Sequence, residues 1–264
     1  SNFRYSGVSV GWTWGYSKNE ASNNKILNNH IHHIGWAELS DLGGIYILGA
    51  NNTQIKNNII HNVFSFDYKG WGIYLDEGAI NTVIENNLVY YCKSSAFHQH
   101  YGKNNIIKNN IFANQLLSQL ELTKNENHNS LFFINNIVYY KTGVLSHNSG
   151  WRNANLIADS NLYWNPLKED VLFYNMGIEE WKKKSGKDIH SIIEDPLFVD
   201  PDINNYNFNS ISNIEKINFK PFDYSKAGVY GEKEWKQKAI LNSDIINKFN
   251  AAVNHRKDVE GLSN

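Results

Sequence analysis

Short runs in which apolar and polar residues alternate recur along the chain, and they can be superposed in one register. Gly7-Val8-Ser9-Val10-Gly11 lines up with Gly44-Ile45-Tyr46-Ile47-Leu48-Gly49, with Gly72-Ile73-Tyr74-Leu75-Asp76-Glu77-Gly78 and with Ala96-Phe97-His98-Gln99-His100. Successive side chains of a strand point to opposite faces, so Val8, Ile45, Ile73 and Phe97, with Val10, Ile47 and Leu75, are expected to share one interior. The opposite face then carries Ser9, Tyr46, Tyr74 and His98, followed one step along by Gly11, Leu48, Asp76 and His100. A core has no use for stacked tyrosines, an aspartate and two histidines in this alignment. The pattern therefore predicts an exposed sheet face that carries chemistry.

A second marker repeats beside the first. Asparagine pairs, all but the first followed by an apolar residue, stand at Asn28-Asn29, Asn57-Asn58, Asn86-Asn87, Asn109-Asn110 and Asn135-Asn136, with the variant Ser160-Asn161, at spacings of 29, 29, 23, 26 and 25 residues. Each pair lies within a β-rich phrase such as Thr53-Gln54-Ile55-Lys56-Asn57-Asn58-Ile59-Ile60. Several short strands in a period of 20 to 30 residues, with no amphipathic helix in it, predict a parallel β-solenoid. Leucine-rich repeats would need Leu at fixed positions, whereas Ile, Val and Phe fill the interior here. Asparagine suits the corner because it tolerates left-handed backbone, and its amide can bond the same amide one rung away, about 4.8 Å off. The pairs are therefore expected to be structural.

Rungs are expected over residues 1–165, and residues 166–264 are expected to add terminal rungs and a cap within the same domain. Gly177-Ile178-Glu179-Glu180-Trp181-Lys182-Lys183-Lys184 predicts a short helix ending near Gly186. Asp195-Pro196-Leu197-Phe198-Val199-Asp200-Pro201 predicts an edge strand, and residues 232 to 250 again have helical spacing. A solenoid end bares backbone and apolar interior, so the last third is assigned to capping. The first rung has no capping leader before it. A further N-terminal segment or a second chain is expected to cover it.

Composition narrows the partners. Formal net charge is −1, and the 25 basic residues form no run that would track a phosphate backbone, so nucleic acid is not expected. No stretch is apolar enough to predict a membrane span, and Ser1-Asn2-Phe3-Arg4 does not resemble a signal peptide. The single cysteine, Cys92, excludes an intrachain disulfide framework and is expected to be a small buried residue. An aromatic share of 14%, with eight Trp and fifteen Tyr, suits stacked platforms for sugar rings as well as core packing.

Several segments in order carry a family likeness. Gly7-Val8-Ser9-Val10-Gly11-Trp12-Thr13-Trp14-Gly15, Ser40-Asp41-Leu42-Gly43-Gly44-Ile45-Tyr46, Gly70-Trp71-Gly72-Ile73-Tyr74-Leu75-Asp76-Glu77-Gly78, Phe97-His98-Gln99-His100-Tyr101-Gly102, the 195–201 phrase and Lys226-Ala227-Gly228-Val229-Tyr230-Gly231 resemble bacterial right-handed β-helix proteins of the glycoside hydrolase family 141 type. The likeness runs from about Tyr5 to Trp235 and corresponds to the C-terminal half of longer members. It implies an all-β, right-handed parallel β-helix with a C-terminal capping segment containing short helices. It also implies a secreted, periplasmic or cell-surface glycosidase that acts on fucose or xylan linkages through an aspartate pair, which Asp41 and Asp76 match best. Lys124-Asn125-Glu126-Asn127-His128 matches a basic-x-Glu-x-His segment of that family, which adds Glu126 and His128 to the candidates.

The chemistry can be weighed independently. Glycosidic cleavage needs one carboxylic acid to protonate the leaving oxygen and one carboxylate to activate water or attack the anomeric carbon. Asp41 and Asp76 are 35 residues apart in sequence, yet the solenoid would bring them within about one rung, roughly 5 Å plus a lateral offset. Asp41, ahead of two glycines, reads equally as a turn former. Asp76, in mid-strand, gains nothing from turn chemistry. It is expected to be the general acid, desolvated by aromatic walls, with Asp41 the base or nucleophile, although a protonated histidine beside Asp76 would pull its pKa down and reverse the two roles. Glu77 is expected to point inward or to bend the strand. Tyr46, Tyr74, His98 and His100 are expected to bind sugar hydroxyls or tune a carboxylate, with Trp12, Trp14, Trp71 and Tyr101 as cleft walls. His98, His100 and Asp76 would make only an open metal site, so no metal or other cofactor is expected. Two rival functions are a polysaccharide lyase and a non-catalytic glycan-binding solenoid. A lyase would need a cation to neutralise a uronate, and Arg4, Arg152 and Arg256 all lie outside the predicted face.

Overall fold

The protein is described here by a computed structural model, covering residues 1–146, 150–167 and 170–262. The alternating runs form parallel strands that wind into a right-handed β-helix. Among the described residues three parallel sheets make its walls. The first holds Val8–Gly11, Leu42–Leu48, Gly70–Leu75, Phe97–Gln99 and Leu120–Leu122. The second runs from Lys25–Leu27 through Gln54–Lys56, Val83–Glu85, Asn105–Lys108 and Leu131–Ile134 to Ile157–Asp159. The third starts at His30–Ile34 and passes through Ile59–Val63, Leu88–Cys92, Ile111–Ala113, Ile137–Tyr139 and Leu162–Trp164 to Ile192–Ile193.

Register in the first sheet is the one the alternation predicts. Val8, Ile45, Ile73, Phe97 and Leu120 pair in succession, as do Ser9, Tyr46, Tyr74, His98 and Glu121. A one-residue slip would turn every apolar side chain outward, which is why the register is so strongly specified. The interior is a stack of like residues: Ile26, Ile55, Ile84, Ile107 and Phe133 from the second sheet face Ile31, Ile60, Val89, Phe112 and Val138 from the third. Cys92 is buried in this core as expected. Glycine stands just before or early within three first-sheet strands, at Gly7, Gly44 and Gly72, because the corner there is crowded. A Cβ on Gly72 would stand 2.3 Å from a Val89 methyl and 2.7 Å from the Ala96 carbonyl oxygen.

The asparagine pairs divide the corner between them. The first member adopts left-handed backbone, with φ of 57° at Asn28, Asn57 and Asn86, 54° at Asn109 and 55° at Asn135, and Ser160 does the same at 53°. The second member points inward and builds a ladder. The backbone N–H and side-chain amide of Asn58 both donate to Asn87 Oδ1 (3.0 and 2.9 Å), those of Asn87 to Asn110 Oδ1 (2.9 and 2.9 Å), and those of Asn110 to Asn136 Oδ1 (3.0 and 3.0 Å). The ladder begins at Asn29 and runs on to Asn161, whose backbone N–H donates to Ser191 Oγ. Buried amides are costly unless bonded, and here each satisfies the next.

The last third divides its tasks more finely than a single cap. Helix Ile178–Ser185 closes the helical core, with Gly186 ending it in left-handed conformation. Its Trp181 is fully buried against Phe173, and its indole N–H donates to Asp188, which also accepts from the Tyr163 hydroxyl. Residues 195 to 222 carry the antiparallel pair Phe198–Asp200 and Asn205–Phe208 and pad the outer face of the third sheet through Phe198, Tyr206, Ile214 and Phe219. The helical spacing of residues 232 to 250 resolves into two helices, Lys233–Lys238 and Ser243–Glu260, because Asn242 caps the second by accepting from Asp244 N–H. That second helix does not cap the solenoid. It returns to the early rungs, where Phe249 and Val253 pack on Trp36 and Phe64, and Glu260 meets the buried Lys93 ammonium at 2.8 Å. No helix among the described residues is long and apolar enough to cross a membrane.

Candidate active site

The outer face of the first sheet is not the open surface that alternation suggested. Tyr46, Tyr74, His98 and Glu121 stack along it, flanked by Trp71 and Asp76, and none of these six is more than 4% exposed. The rings lie nearly parallel one rung apart: Tyr46 on Tyr74 at 4.7 Å and 15°, Tyr74 on His98 at 4.7 Å and 9°. Tyr5 and Trp12, from the segments flanking the first strand, pack on Tyr46 and cover it. Trp71 and His98 were expected to touch a ligand. Their burial instead makes them the floor beneath the site: Trp71 sits 4.3 Å from both Tyr74 and His98 and donates its indole N–H to Glu121 at 2.8 Å.

Glu121 is the residue the sequence reading missed. It follows His98 by 23 residues in the same outward column, with Leu120 and Leu122 pointing inward, so the alternation carried a signal for it. Burial works against its ionised form. The Lys69 ammonium at 2.5 Å and the Trp71 N–H outweigh that and hold it below the ordinary glutamate range. His98 itself is driven down to about 3 by burial, so it is a neutral imidazole, bonded through Nε2 to the Thr123 hydroxyl at 2.7 Å.

Asp41 and Asp76 flank paired strands at opposite ends: Asp41 stands just before Leu42, which pairs with Gly70, and Asp76 just after Leu75, which pairs with Ile47. The charge of Asp76 nonetheless reaches Asp41, and burial together with the charges of both raises the pKa of the Tyr74 hydroxyl. Asp76 lies just past the end of Gly70–Leu75. It accepts from the Tyr46 hydroxyl at 2.6 Å, and its other oxygen is 3.2 Å from His100 Nδ1. Asp41 precedes Leu42–Leu48 in left-handed backbone, φ 57°, which satisfies the turn-forming reading of this residue as well as the chemical one. Its carbonyl accepts from the Tyr5 hydroxyl at 2.7 Å, while its Oδ1 is buried without a partner.

The two carboxyls ionise in the order opposite to expectation. Burial raises the Asp41 carboxyl above its ordinary value, and the charge of Asp76 raises it further against the weaker opposing pull of Tyr74 and His100. Burial would raise Asp76 too, but hydrogen bonds from His100 and Tyr46 overcome it and hold this group below its ordinary value. Asp76 is therefore the carboxylate and Asp41 the group that keeps its proton longer. The donors responsible come from neighbouring rungs, 30 residues before Asp76 and 24 after it. Replacing His100 by Ala should accordingly lift the Asp76 pKa. The acid limb of any activity profile should move to higher pH, as a rate-against-pH series on the variant would register.

The remaining candidates extend the site along the helix axis. Glu77 does not point inward: it is half-buried and accepts from the Tyr101 hydroxyl at 2.8 Å. Glu126 accepts from the Tyr16 hydroxyl at 2.5 Å and pairs with His128 at 3.2 Å. Tyr16 stands 5.7 Å from the Tyr101 ring, over which the Lys124 ammonium sits at 4.2 Å. Trp12 and Trp14 flank this region at 52% and 64% exposure, the position expected of a cleft wall. No group of three or more His, Cys, Asp or Glu among the described residues is arranged to hold a metal ion.

Comparison with known proteins bears on the scaffold. Neither the curated proteins nor the solved structures contain a match to this chain. The family model described as "right handed beta helix region" matches residues 15–162, more than half of the 264 residues and nearly the whole run of stacked rungs. The chain belongs to the right-handed β-helix family.

Proposed function

We propose that this protein is a glycoside hydrolase of neutral complex polysaccharide, with Asp41 as general acid and Asp76 as base or nucleophile. The observation that carries this reading is the pair itself: two carboxyls on adjacent rungs, one within reach of the other's charge, pushed in opposite directions from their ordinary pKa values. Pairs whose surroundings separate their ionisation are how one site supplies an acid and a base at one pH. Exposed Trp12 and Trp14 offer flat apolar faces for sugar rings beside it, and the hydroxyl-rich lining of Tyr16 and Tyr101 suits sugar hydroxyls. Fucoside or xylan-like linkages are the substrate class implied by the resemblance to glycoside hydrolase family 141. β-Helix enzymes that act on polysaccharide provide a compatible scaffold.

The charges around the pair argue against the lyase alternative. A lyase acting on uronate must neutralise a carboxylate, yet the region holds the acidic groups Asp41, Asp76, Glu77 and Glu126. The nearby lysines are engaged, Lys69 with Glu121 and Lys124 over Tyr101. The experiment that separates the readings is digestion of a polysaccharide panel, neutral and uronate-rich, followed for reducing ends and for ultraviolet-absorbing unsaturated product. Reducing ends from neutral chains without absorbance are expected. Unsaturated product would establish a lyase, and tight glycan binding without turnover would establish a binding module.

A further inference from the structure

On the other side of the molecule, four histidines gather where strands His30–Ile34 and Ile59–Val63 run side by side. His30 Nε2 lies 2.8 Å from His61 Nε2, and His32 Nδ1 lies 2.8 Å from His33 Nδ1. The His32 and His61 rings stack at 5.1 Å and 8°, His30 sits 4.4 Å from His32, and Tyr90 from the next rung stacks on His61 at 4.6 Å. Facing them across a cavity of about 810 Å³ is the segment of residues 227–246, which starts from a hydrogen bond of Gly228 N–H to the Asn28 carbonyl and brings Ile240, Leu241 and Ile246 to the cavity wall. Just beyond it Phe249 meets the His33 ring at 4.7 Å.

We infer that this histidine cluster is a proton-operated latch for the C-terminal strap, residues 227–246, which it holds when neutral and releases at mildly acidic pH. Two neutral imidazoles can share a proton across 2.8 Å, one donating and the other accepting. Two imidazolium ions cannot, because both nitrogens then carry hydrogens and like charges. The charged groups that face the cluster offer no relief. Strand His30–Ile34 presents the histidines themselves, Leu88–Cys92 presents Tyr90, the strap presents Lys236, and Ser1 adds its α-amino group; no carboxylate lines the cavity among the described residues. Burial depresses all four histidines, neighbouring imidazoles add to it at His32, His33 and His61, the Ser1 α-amino group adds to it at His30, and His32 and His61 fall to about 3. The sign follows from linkage. With the unfolded pKa near 6.5 and the folded values below it, the open form binds more protons, so the closed form is fully stable above about pH 6.5 and loses stability as pH falls toward 3. The strap is the element that yields, because helix Lys233–Lys238 is exposed at every residue, whereas strand Ile59–Val63 beneath it is paired on both sides, with His30–Ile34 and with Leu88–Cys92.

Hydrogen exchange read by mass spectrometry, corrected for the intrinsic pH dependence of exchange, tests this on the intact chain. Between pH 7.5 and 5, peptides within residues 227–246 are expected to exchange at least about tenfold faster, while those spanning Asn105–Lys108 keep their protection. In a His32→Gln, His61→Gln double variant the strap should respond to pH little or not at all. If that variant fails to protect its rungs, the single His30→Asn change at the exposed edge should still shrink the response. Equal strap protection at both pH values in the unaltered protein would overturn the latch, as would an undiminished response in the variants. Loss of strap protection at pH 7.5 on adding a chelator would overturn it too, by showing that a metal rather than proton sharing holds the cluster.

Discussion

Asp76→Asn is expected to abolish polysaccharide turnover, with a loss of at least about 10³-fold in kcat, the upper part of the range for removing a positioned acid–base group. The change is isosteric and preserves most of the packing, so the fold should survive it. What it removes is a negative charge that two donors, the Tyr46 hydroxyl and His100, are arranged to stabilise. An amide in that place has no lone-pair charge for those donors and no basicity for water or an anomeric carbon. It also removes the charge that helps to raise Asp41, so the surviving carboxyl should titrate lower. Steady-state rates on polysaccharide, with circular dichroism to confirm the fold, measure the loss. A variant that keeps more than a tenth of the rate would show that the Asp76 carboxylate is not the reacting base.

Asn110→Ala is expected to be the most damaging single change outside the site. Asn110 is fully buried. Its Oδ1 accepts from the backbone and side chain of Asn87, and its amide donates to the Ile84 and Lys108 carbonyls and to Asn136. Alanine would orphan several of these at once in a place water cannot reach, at about 1 to 3 kcal/mol for each group left unsatisfied. A total of about 4 kcal/mol and a fall of roughly 10 °C in Tm are expected for a domain of this size. The contrast is Asn57, on the outward half of the corner. Its role is the left-handed backbone at φ 57°, so Asn57→Ala should cost only about 1 kcal/mol and Asn57→Gly less. Thermal melts of the three variants distinguish an amide ladder from a row of turn formers. Equal losses at Asn110 and Asn57 would contradict it.

The scaffold was legible because a solenoid writes its contacts into its period. Residues 23 to 30 apart are neighbours, so aligning Tyr46, Tyr74 and His98 by their alternation was enough to stack them in the right order, and the asparagine spacing located the corner. Gly186 announced the end of its helix for a similarly local reason. What lay beyond reach came from outside the repeat. Alternation tells which face a side chain takes, not what covers that face, and Tyr5, Trp12 and the Lys69–Glu121 pair turned an exposed sheet into a buried one. The order of ionisation of Asp41 and Asp76 turns on a balance the sequence states but does not weigh: aromatic burial raises Asp76, while His100 and the Tyr46 hydroxyl lower it and prevail. The path of helix Ser243–Glu260 back to Trp36 and Phe64 depends on contacts between distant segments that no local spacing encodes.

The order of ionisation is the central claim, and leaving-group dependence tests it most directly. Asp41→Asn should be measured on the polysaccharide and on an aryl glycoside with a good leaving group, beside Asp76→Asn. An acid is needed only when the departing oxygen is a poor leaving group. Asp41→Asn is therefore predicted to lose roughly 10²-fold or more on polysaccharide while remaining near the unaltered rate on the aryl glycoside, and Asp76→Asn is predicted to lose both. The reverse pattern, with the aryl glycoside spared by Asp76→Asn and lost by Asp41→Asn, would contradict the assignment, and so would equal loss on both substrates by Asp41→Asn.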